Sequence, residues 1–347
     1  MYDAILVGGG LAGCVLGHKF LSRNKSIFLV DKGDLSNCSK IAAGIYNPIA
    51  GKYFALSWNA EEVWMDLAPF YVEIEKKLNQ RFLFPMPIRR IISTNDQFEK
   101  WGKRKSQERY LPFISIQKDS LPEYIKASSY GYINVEQTGY LSVKKFINHS
   151  IHHFNSLGFF ANEQFNFNQL VIEKDKIEYK GITAKRLICC TGYLEAKNGL
   201  FSYLPFTPMK GEILLAANQF GLKNIFTKSC FILPTEDEKI KIGSTYNWKE
   251  INENITRTSK DILKSKLENL LVQKIEFTDQ VAGVRPSVKD RKPLLGAHPK
   301  YKNIFLFNGF GSKGVSLAPF LSELLFKNIF EGKTIPQELN LQRFTFG

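Results

Sequence analysis

The sequence lacks the features that carry a chain into or across a membrane. No stretch approaches the ~18 consecutive apolar residues that a transmembrane helix needs, so we expect none. Met1 is followed almost at once by the apolar run YDAILVGGG, with neither a basic segment nor a cleavage site, so we expect no secretory signal. The five cysteines form no CxxC motif and no regular framework, which is typical of thiols in a reducing cytoplasm. We therefore predict a cytoplasmic protein.

Negative charge is in short supply. Lys and Arg number 47 against 33 Asp and Glu, which makes the formal net charge +14. One interpretation is attraction to nucleic acid or to an acidic membrane face, and the other is a lysine-rich surface that keeps the protein soluble. The basic residues are scattered, with the densest run at 100–109, and no arginine-rich segment accompanies them. Solubility is the favoured interpretation.

The first part of the chain has the pattern of a βαβ unit, and after a further helix the pattern changes to that of short strands and loops. Residues 2–7 and 26–31 read as buried strands, and 11–24 as the helix between them. Helical periodicity with outward charges covers 57–79. Short apolar runs broken by prolines at 82–137 predict strands and loops of a separate sheet.

The rest of the chain alternates between α/β patterns and patterns typical of an antiparallel sheet. A helix is predicted at 140–158, a buried strand at 184–193 and a further helix at 255–272. Residues 205–250 alternate like an antiparallel sheet, and the chain closes as strand, glycine turn and long helix. The pattern predicts an α/β fold (α+β in its two-domain form) built from discontinuous segments.

The glycine-rich loop GGGLAG carries the clearest chemical signal. It follows a predicted strand and opens a predicted helix, and Asp31 stands at the end of the next strand. Gly8 permits a tight turn, Gly10 lets the backbone approach a pyrophosphate, and Gly13 lets helix and strand pack closely. Asp31 would accept hydrogen bonds from an unphosphorylated ribose. This context favours a dinucleotide, FAD or NAD, over a plain glycine turn.

What is missing favours FAD over NAD. An NAD-linked flavin reductase would need a second dinucleotide loop in mid-chain, and none is present; the CxxC of disulfide reductases is also absent. A second glycine-rich turn, FNGFGSKGVS at 307–316, runs into a predicted helix near the end of the chain. Such a turn also favours an anion or a phosphate.

Several segments, in this order, resemble the D-amino-acid oxidase, glycine oxidase and sarcosine oxidase family of FAD-dependent oxidoreductases. They are VGGGLAG with Asp31, CSKIAAGIYNP at 38–48, LICCTGY at 187–193, PMKGEIL at 208–214, FILPTEDEKIKIGSTY at 231–246, AGVRPSVKDRKPLLG at 282–296, and FNGFGSKGVS. The resemblance implies a Rossmann-like FAD-binding domain with an interleaved antiparallel-sheet substrate domain. It also implies oxidation of a C–N bond, with hydride transfer to flavin N5, hydrolysis of the imine, and reoxidation of the flavin by oxygen or another acceptor.

The resemblance divides the chain and places the cofactor. The FAD-binding domain is expected at 1–82, 138–204 and 290–347, and the substrate-binding domain at 83–137 and 205–289. The residues implied to hold FAD are Gly8, Gly10, Leu11, Ala12, Gly13, Asp31, Lys32, Ser39, Ala42, Ala43, Gly44, Ile45, Thr191, Gly192, Arg285, Gly309, Gly311, Ser312, Lys313 and Gly314.

Three residues are implied to act in catalysis. Arg285, in GVRP, matches the arginine that clamps the substrate carboxylate with two parallel hydrogen bonds; the other interpretation is a structural ion pair. Lys313 matches a loop lysine of sarcosine oxidases and would stabilise negative charge on the reduced flavin, unless it faces solvent. Tyr246 lies on a strand that reaches the flavin in relatives, or else it is a packed core tyrosine.

Four further residues are expected to line the substrate pocket. Tyr46 and Asn47 follow the flavin-wrapping segment, and Lys210 and Thr245 lie in the other matching segments. Glycine oxidases carry an apolar pair where this sequence reads IYNP, so the size and polarity of the substrate stay open.

No metal site is predicted. His149, His152 and His153 have a spacing that could hold a metal, but no nearby acid or cysteine completes a set, so we expect exposed helix histidines. Cys189 and Cys190 are expected on opposite faces of a buried strand, as packing residues.

Three functions are compatible with the resemblance. The favoured one is oxidation of a small amino acid or a secondary amine such as an N-substituted glycine. The second is an enzyme that acts on tRNA, because the same segments resemble the oxidase half of the bifunctional enzyme that removes a carboxymethyl group from a wobble uridine. The third is a flavoprotein that holds FAD only for structure or sensing.

Overall fold

We describe a computed structural model of the chain, over residues 1–33, 38–115 and 120–344. The α-helices of this part of the chain are α1 (Leu11–Ser22), α2 (Cys38–Ile41), α3 (Ala60–Leu78), α4 (Asn95–Arg104), α5 (Val143–Ser156), α6 (Glu195–Asn198), α7 (Arg257–Glu268) and α8 (Gly314–Glu331). Short 3-10 turns cover Glu108–Phe113, Phe167–Gln169, Gly192–Leu194 and Leu341–Arg343.

The strands form five sheets. In chain order the strands are β1 (Ala4–Val7), β2 (Ile27–Asp31), β3 (Ile45–Tyr46), β4 (Ile49–Ala50), β5 (Ala55–Leu56), β6 (Leu83–Pro85), β7 (Ile88–Ile91), β8 (Ile114–Ser115), β9 (Tyr132–Val135), β10 (Gly139–Leu141), β11 (Phe160–Asn162), β12 (Leu170–Ile172), β13 (Ile177–Tyr179), β14 (Ile182–Ala184), β15 (Leu187–Cys189), β16 (Met209–Ala217), β17 (Ile225–Thr227), β18 (Phe231–Pro234), β19 (Lys239–Gly243), β20 (Phe277–Arg285), β21 (Leu294–Ala297) and β22 (Ile304–Asn308).

The first large sheet is the parallel one that the sequence predicts. Its order is β11-β2-β1-β15-β22-β21, and only β21 runs antiparallel to its neighbour. Leu6 on one face packs into the core that α1, α3, α5 and α8 share, while Val7 on the other face packs with Tyr179 of β13. Because parallel strands align their carboxyl ends, the turns after β1, β15 and β22 meet at one edge of this sheet.

The second large sheet supplies a wall above that edge. Its order is β20-β16-β19-β18-β17-β7-β9-β8, and it is antiparallel except between β17 and β7. The long pair β16 and β20 sets Gly211 opposite Gly283 and Met209 opposite Arg285. The α/β fold class, with a Rossmann-like sheet and an antiparallel sheet, is confirmed. The domain boundaries predicted from the sequence stay a prediction.

One helix was not expected. Strands and loops alone were predicted for 82–137, and this is wrong for Asn95–Arg104, which is α4. The Thr94 hydroxyl caps the helix by accepting a hydrogen bond from the Gln97 amide (3.3 Å), and only Trp101 of the helix is buried. A helix with a single buried residue leaves no apolar periodicity in the sequence, which is why the pattern missed it.

The prediction of exposed histidines on α5 holds for one of the three. His152 is exposed, but His149 and His153 are half-buried, because α5 packs against α1 and α3. The His153 ring lies parallel to that of buried His18, with 6.0 Å between the centroids, and burial lowers the pKa of both. Within the described residues, no three His, Cys, Asp or Glu side chains come together as metal ligands.

The two adjacent cysteines lie as the strand alternation predicts. Cys189 belongs to the core on one face of the parallel sheet and Cys190 to the core on the other. Burial raises the pKa of both thiols, which disfavours the reactive thiolate. None of the helices that the structure describes is both long enough and apolar enough to cross a membrane.

Candidate active site

The glycine loop after β1 forms a tight turn that only glycine allows. Gly8 has a φ of +106°, and a Cβ atom there would lie 2.6 Å from the Cys190 carbonyl oxygen. A Cβ atom on Gly13 would overlap the Gly8 carbonyl oxygen, so the missing side chain is what lets α1 begin so close to β1. The helix N-terminus is thereby aimed at the edge of the sheet, where it favours an anion.

Two polar side chains complete this turn. Asp31 accepts hydrogen bonds from the Gly9 and Gly33 amides, both at 2.7 Å, so the carboxylate is held at the end of β2. The Ser39 hydroxyl accepts a hydrogen bond from the Leu11 amide (3.2 Å), which brings the segment 38–45 over the start of α1. Lys241 of β19 donates to the Ala42 carbonyl (3.1 Å) and ties that segment to the antiparallel sheet.

A single cavity of about 1230 Å³ runs from this turn to the wall formed by the antiparallel sheet. The predicted site residues that line it are Gly8, Gly10, Leu11, Ala12, Asp31, Lys32, Ser39, Ala42, Ala43, Gly44, Ile45, Asn47, Thr191, Gly192, Tyr246, Arg285, Gly311, Ser312, Lys313 and Gly314. The structure thus brings together residues from both ends and the middle of the chain.

Two predicted cofactor residues lie behind the cavity wall and not on it. Gly13 contacts Gly8, and a Cβ atom on Gly309 would lie 2.8 Å from a methyl group of Val288. Both glycines therefore let backbone segments approach one another.

Three of the four residues expected to line the substrate pocket also lie outside the cavity lining. Tyr46 is buried next to Gly139. Thr245 is buried, and its hydroxyl accepts a hydrogen bond from the Glu212 amide (2.9 Å). Lys210 is fully buried and donates to Asn252 (3.0 Å). Because neighbouring strand residues take opposite faces, Gly211 faces the cavity and Lys210 does not.

The sequence interpretation missed other residues on the cavity wall. Gln164 to Asn168, Gly211, Ile213, Phe231, Gly243 and Ser244 all line it. Gly211 and Gly243 carried a signal, since glycine inside a strand marks a place where another group comes close. The 164–168 segment has no such signal.

The Arg285 guanidinium lies flat against the backbone of Gly211. Any side chain at Gly211 would overlap the guanidinium group, so glycine is needed there to leave room for it. The Nη2 atom of Arg285 donates to the Ser244 hydroxyl (2.8 Å), and its Nη1 atom donates to the Thr245 carbonyl (3.4 Å). The Tyr246 ring centroid is 5.1 Å from the guanidinium carbon. Among the described residues no carboxylate pairs with Arg285, so its charge is available to a ligand.

The second glycine turn closes the cavity on the other side. Gly309 and Gly311 have φ values of +82° and +56°, and Lys313 precedes the first residue of α8. Asn308 donates to the Gly192 carbonyl (2.9 Å), which holds this turn against the turn after β15. Burial lowers the pKa of Lys313, and within the described residues its ammonium group has no hydrogen-bond or ion-pair partner.

These features suit a dinucleotide that carries a redox ring. A glycine turn at a helix N-terminus and the Asp31 carboxylate lie at one end of the cavity, and a glycine turn with a cation lies at the other. Residues 3–327 match the protein family described as FAD dependent oxidoreductase. The chain belongs to this family. Its cofactor is FAD, and the resemblance drawn from the sequence motifs is confirmed.

Several relatives are glycine oxidases. The glycine oxidase of Geobacillus kaustophilus is 21% identical over 96% of this chain and 93% of its own length. The crystal structure of glycine oxidase from Geobacillus kaustophilus superposes with a TM-score of 0.81 at 19% identity, covering 96% of this chain and 95% of that chain. The Bacillus subtilis enzyme is 28% identical, but the match spans only 38% of this chain and 37% of that protein.

A tRNA-modifying protein is also among the relatives. The tRNA 5-methylaminomethyl-2-thiouridine biosynthesis bifunctional protein MnmC of Hahella chejuensis is 20% identical over 98% of this chain and 58% of its own length. The chain therefore spans little more than half of that relative. Family membership makes this protein an FAD-dependent oxidoreductase.

Replacing Gly13 with alanine tests the turn. Because the new methyl group would overlap the Gly8 carbonyl, we expect Gly13→Ala to lose most bound flavin, measured as the ratio of flavin to protein absorbance after gel filtration. Gly102→Ala is the matched control and should keep its flavin. That helical glycine has open space around it, and alanine is more favourable than glycine in a helix by about 1 kcal/mol. Full flavin content in Gly13→Ala would contradict this account of the turn.

Proposed function

We propose that this enzyme oxidises the C–N bond of a small amino acid or a secondary amine that carries a carboxylate, such as an N-substituted glycine. The observation that carries the proposal is Arg285, a guanidinium on the cavity wall whose hydrogen-bond partners among the described residues are neutral. A planar guanidinium presents parallel N–H groups that match the two oxygens of a carboxylate. The substrate class is therefore proposed from the charge that the site leaves uncompensated.

The chain's own residues would bind and orient such a substrate. Ser244 and the Thr245 carbonyl hold the guanidinium plane, and the carboxylate would take the remaining N–H groups. Ile213 and Phe231 are apolar parts of the same wall and would exclude water from the bond that is oxidised. FAD, when bound, supplies the two-electron acceptor.

Loss of the Arg285 charge should weaken substrate binding. Removing one partner of a desolvated charge pair costs about 2–5 kcal/mol, so we expect Arg285→Ala to raise the Kd for sarcosine at least about 30-fold. The dependence of the anaerobic flavin-bleaching rate on sarcosine concentration gives this Kd. Arg257→Ala, on the exposed surface of α7, is the control and should change nothing. An unchanged affinity in Arg285→Ala would rule out the proposed anchor.

We further propose that Lys313 stabilises negative charge on the reduced cofactor. The half-buried ammonium has no partner within the described residues, and it lies at the N-terminus of α8, where the helix dipole acts in the same direction. Two positive contributions at one place would favour a ring that gains negative charge during the reaction.

Removing this charge should therefore make the flavin harder to reduce. We expect Lys313→Met to lower the two-electron potential by roughly 20–40 mV, equivalent to about 1–2 kcal/mol, and to slow anaerobic reduction by substrate. Lys333→Met, just beyond the end of the same helix, serves as the control. A potential that does not move in Lys313→Met contradicts the proposed role.

A second candidate substrate is a modified uridine in tRNA. The observations that favour it are the net charge of +14 and the relative named for tRNA modification. That substrate would also present an N-substituted glycine to Arg285. We expect labelled tRNA to bind with an affinity that falls steeply with salt, because phosphate contacts release counterions. Salt-insensitive turnover of free glycine, sarcosine or proline would exclude this candidate.

A further inference from the structure

Two large aromatic side chains stand exposed beside the Arg285 site. Tyr246 is 57% exposed and Trp248 is 61% exposed, and their rings lie nearly parallel, 21° apart, with 6.3 Å between centroids. Tyr246 lines the cavity, and its ring centroid is 5.1 Å from the Arg285 guanidinium carbon, whereas Trp248 lies outside the lining and adjoins the site through the Tyr246 ring. An exposed aromatic pair that adjoins a cavity offers flat faces to a ligand there.

The segment that carries the rings is held firmly. The Asn247 side chain accepts hydrogen bonds from the Lys249 amide (2.8 Å) and the Glu250 amide (3.2 Å). The Asn247 backbone also exchanges two hydrogen bonds with Lys210, at 2.9 and 3.0 Å. These bonds fix the backbone between Tyr246 and Trp248, although both rings are exposed.

A buried polar network supports the same segment from the far face of β16. Lys210, which the sequence analysis predicts to line the substrate pocket, donates instead to Asn252 (3.0 Å). Glu212 accepts hydrogen bonds from the Thr256 amide (2.9 Å), the Thr256 hydroxyl (2.8 Å) and the Gln280 side chain (2.6 Å). The backbone that carries the rings is therefore pre-positioned, and a ligand that stacks on them does not have to order it first.

The position of the rings defines which part of a substrate they would meet. A glycine unit whose carboxylate binds Arg285 has its nitrogen only two bonds from the carboxyl carbon. A substituent on that nitrogen would therefore lie within reach of Tyr246, whose ring centroid is 5.1 Å from the guanidinium carbon. Aromatic faces bind flat rings with little regard to their identity, and each such stack is worth a factor of about ten or more in affinity.

We propose that Tyr246 and Trp248 form a stacking platform for a flat ring carried on the nitrogen of the substrate amine. The proposal rests on the proposed function, since it takes the carboxylate of that amine to be bound by Arg285. It narrows the substrate class from small amines in general to N-substituted glycines with an aromatic or heteroaromatic N-substituent. Trp248 thereby becomes a residue that determines specificity.

The test uses two sulfur analogues that bind but have no amine to oxidise. (Benzylthio)acetate carries the carboxylate and a ring, whereas (methylthio)acetate carries the carboxylate and a methyl group. Titration of the holoenzyme, followed by the change in the flavin spectrum, gives the Kd of each. We expect the ring analogue to bind at least about tenfold tighter, and Trp248→Ala to reduce this preference to about threefold or less.

Two variants serve as controls. Trp248→Phe keeps an aromatic face and should restore most of the preference. Phe98→Ala removes a ring on α4 that is 50% exposed and packs against Tyr130, so it should leave both Kd values unchanged. Equal Kd values in the native enzyme, or a preference that survives Trp248→Ala, would overturn the platform. The proposed function fails separately, if Arg285→Ala leaves the affinity for (methylthio)acetate unchanged.

A competition experiment distinguishes the two possible sources of such a ring, which are a free small molecule and a base within RNA. Carboxymethylaminomethyl-uridine is added against (benzylthio)acetate as the free nucleoside and within a short RNA stem-loop. Equal competition identifies a free small molecule as the source, whereas stronger and salt-sensitive competition by the RNA identifies a base in a polynucleotide. Absence of competition by both would contradict the platform.

Discussion

The close packing of three turns at one edge of the parallel sheet is the constraint on which the rest of the site depends. The turn after β1 approaches the turn after β15 so closely that Gly8 has no room for a side chain next to Cys190. The turn after β22 is held to the turn after β15 by Asn308. Parallel strands direct their carboxyl ends to one edge, and α/β proteins bind ligands there. In this FAD-dependent family the same edge is where we place the cofactor.

Strand β16 then has two different roles on its two faces. Gly211 gives the Arg285 guanidinium a flat surface on the cavity side, while Lys210 and Glu212 are buried on the other side in a polar network. Burying a lysine and a glutamate is costly unless both are hydrogen-bonded, as they are here. That network holds the segment that borders the cavity, so the wall and its support come from neighbouring residues.

The features that could be predicted from the sequence are those encoded locally. The glycine loop, Asp31 and the final strand–turn–helix each lie within one short stretch with its own periodicity and turn residues. The position of Lys210 could not be predicted in this way. Which face a strand residue takes depends on its register with a partner far along the chain, as Gly211 with Gly283. Helix α4 was missed because it buries a single residue.

The cavity has a further consequence, because its wall is drawn from the whole length of the chain. Gly8 lies near one end, Lys313 near the other, and Arg285 and Thr191 come from between them. No contiguous fragment contains the whole lining, so FAD held across these residues, as the sequence predicts, would bind only the fully assembled fold. Whatever free energy FAD gains on binding therefore stabilises the entire native state against unfolding. In this sense a cofactor bound there would act as a non-covalent cross-link between the glycine turns after β1 and β22.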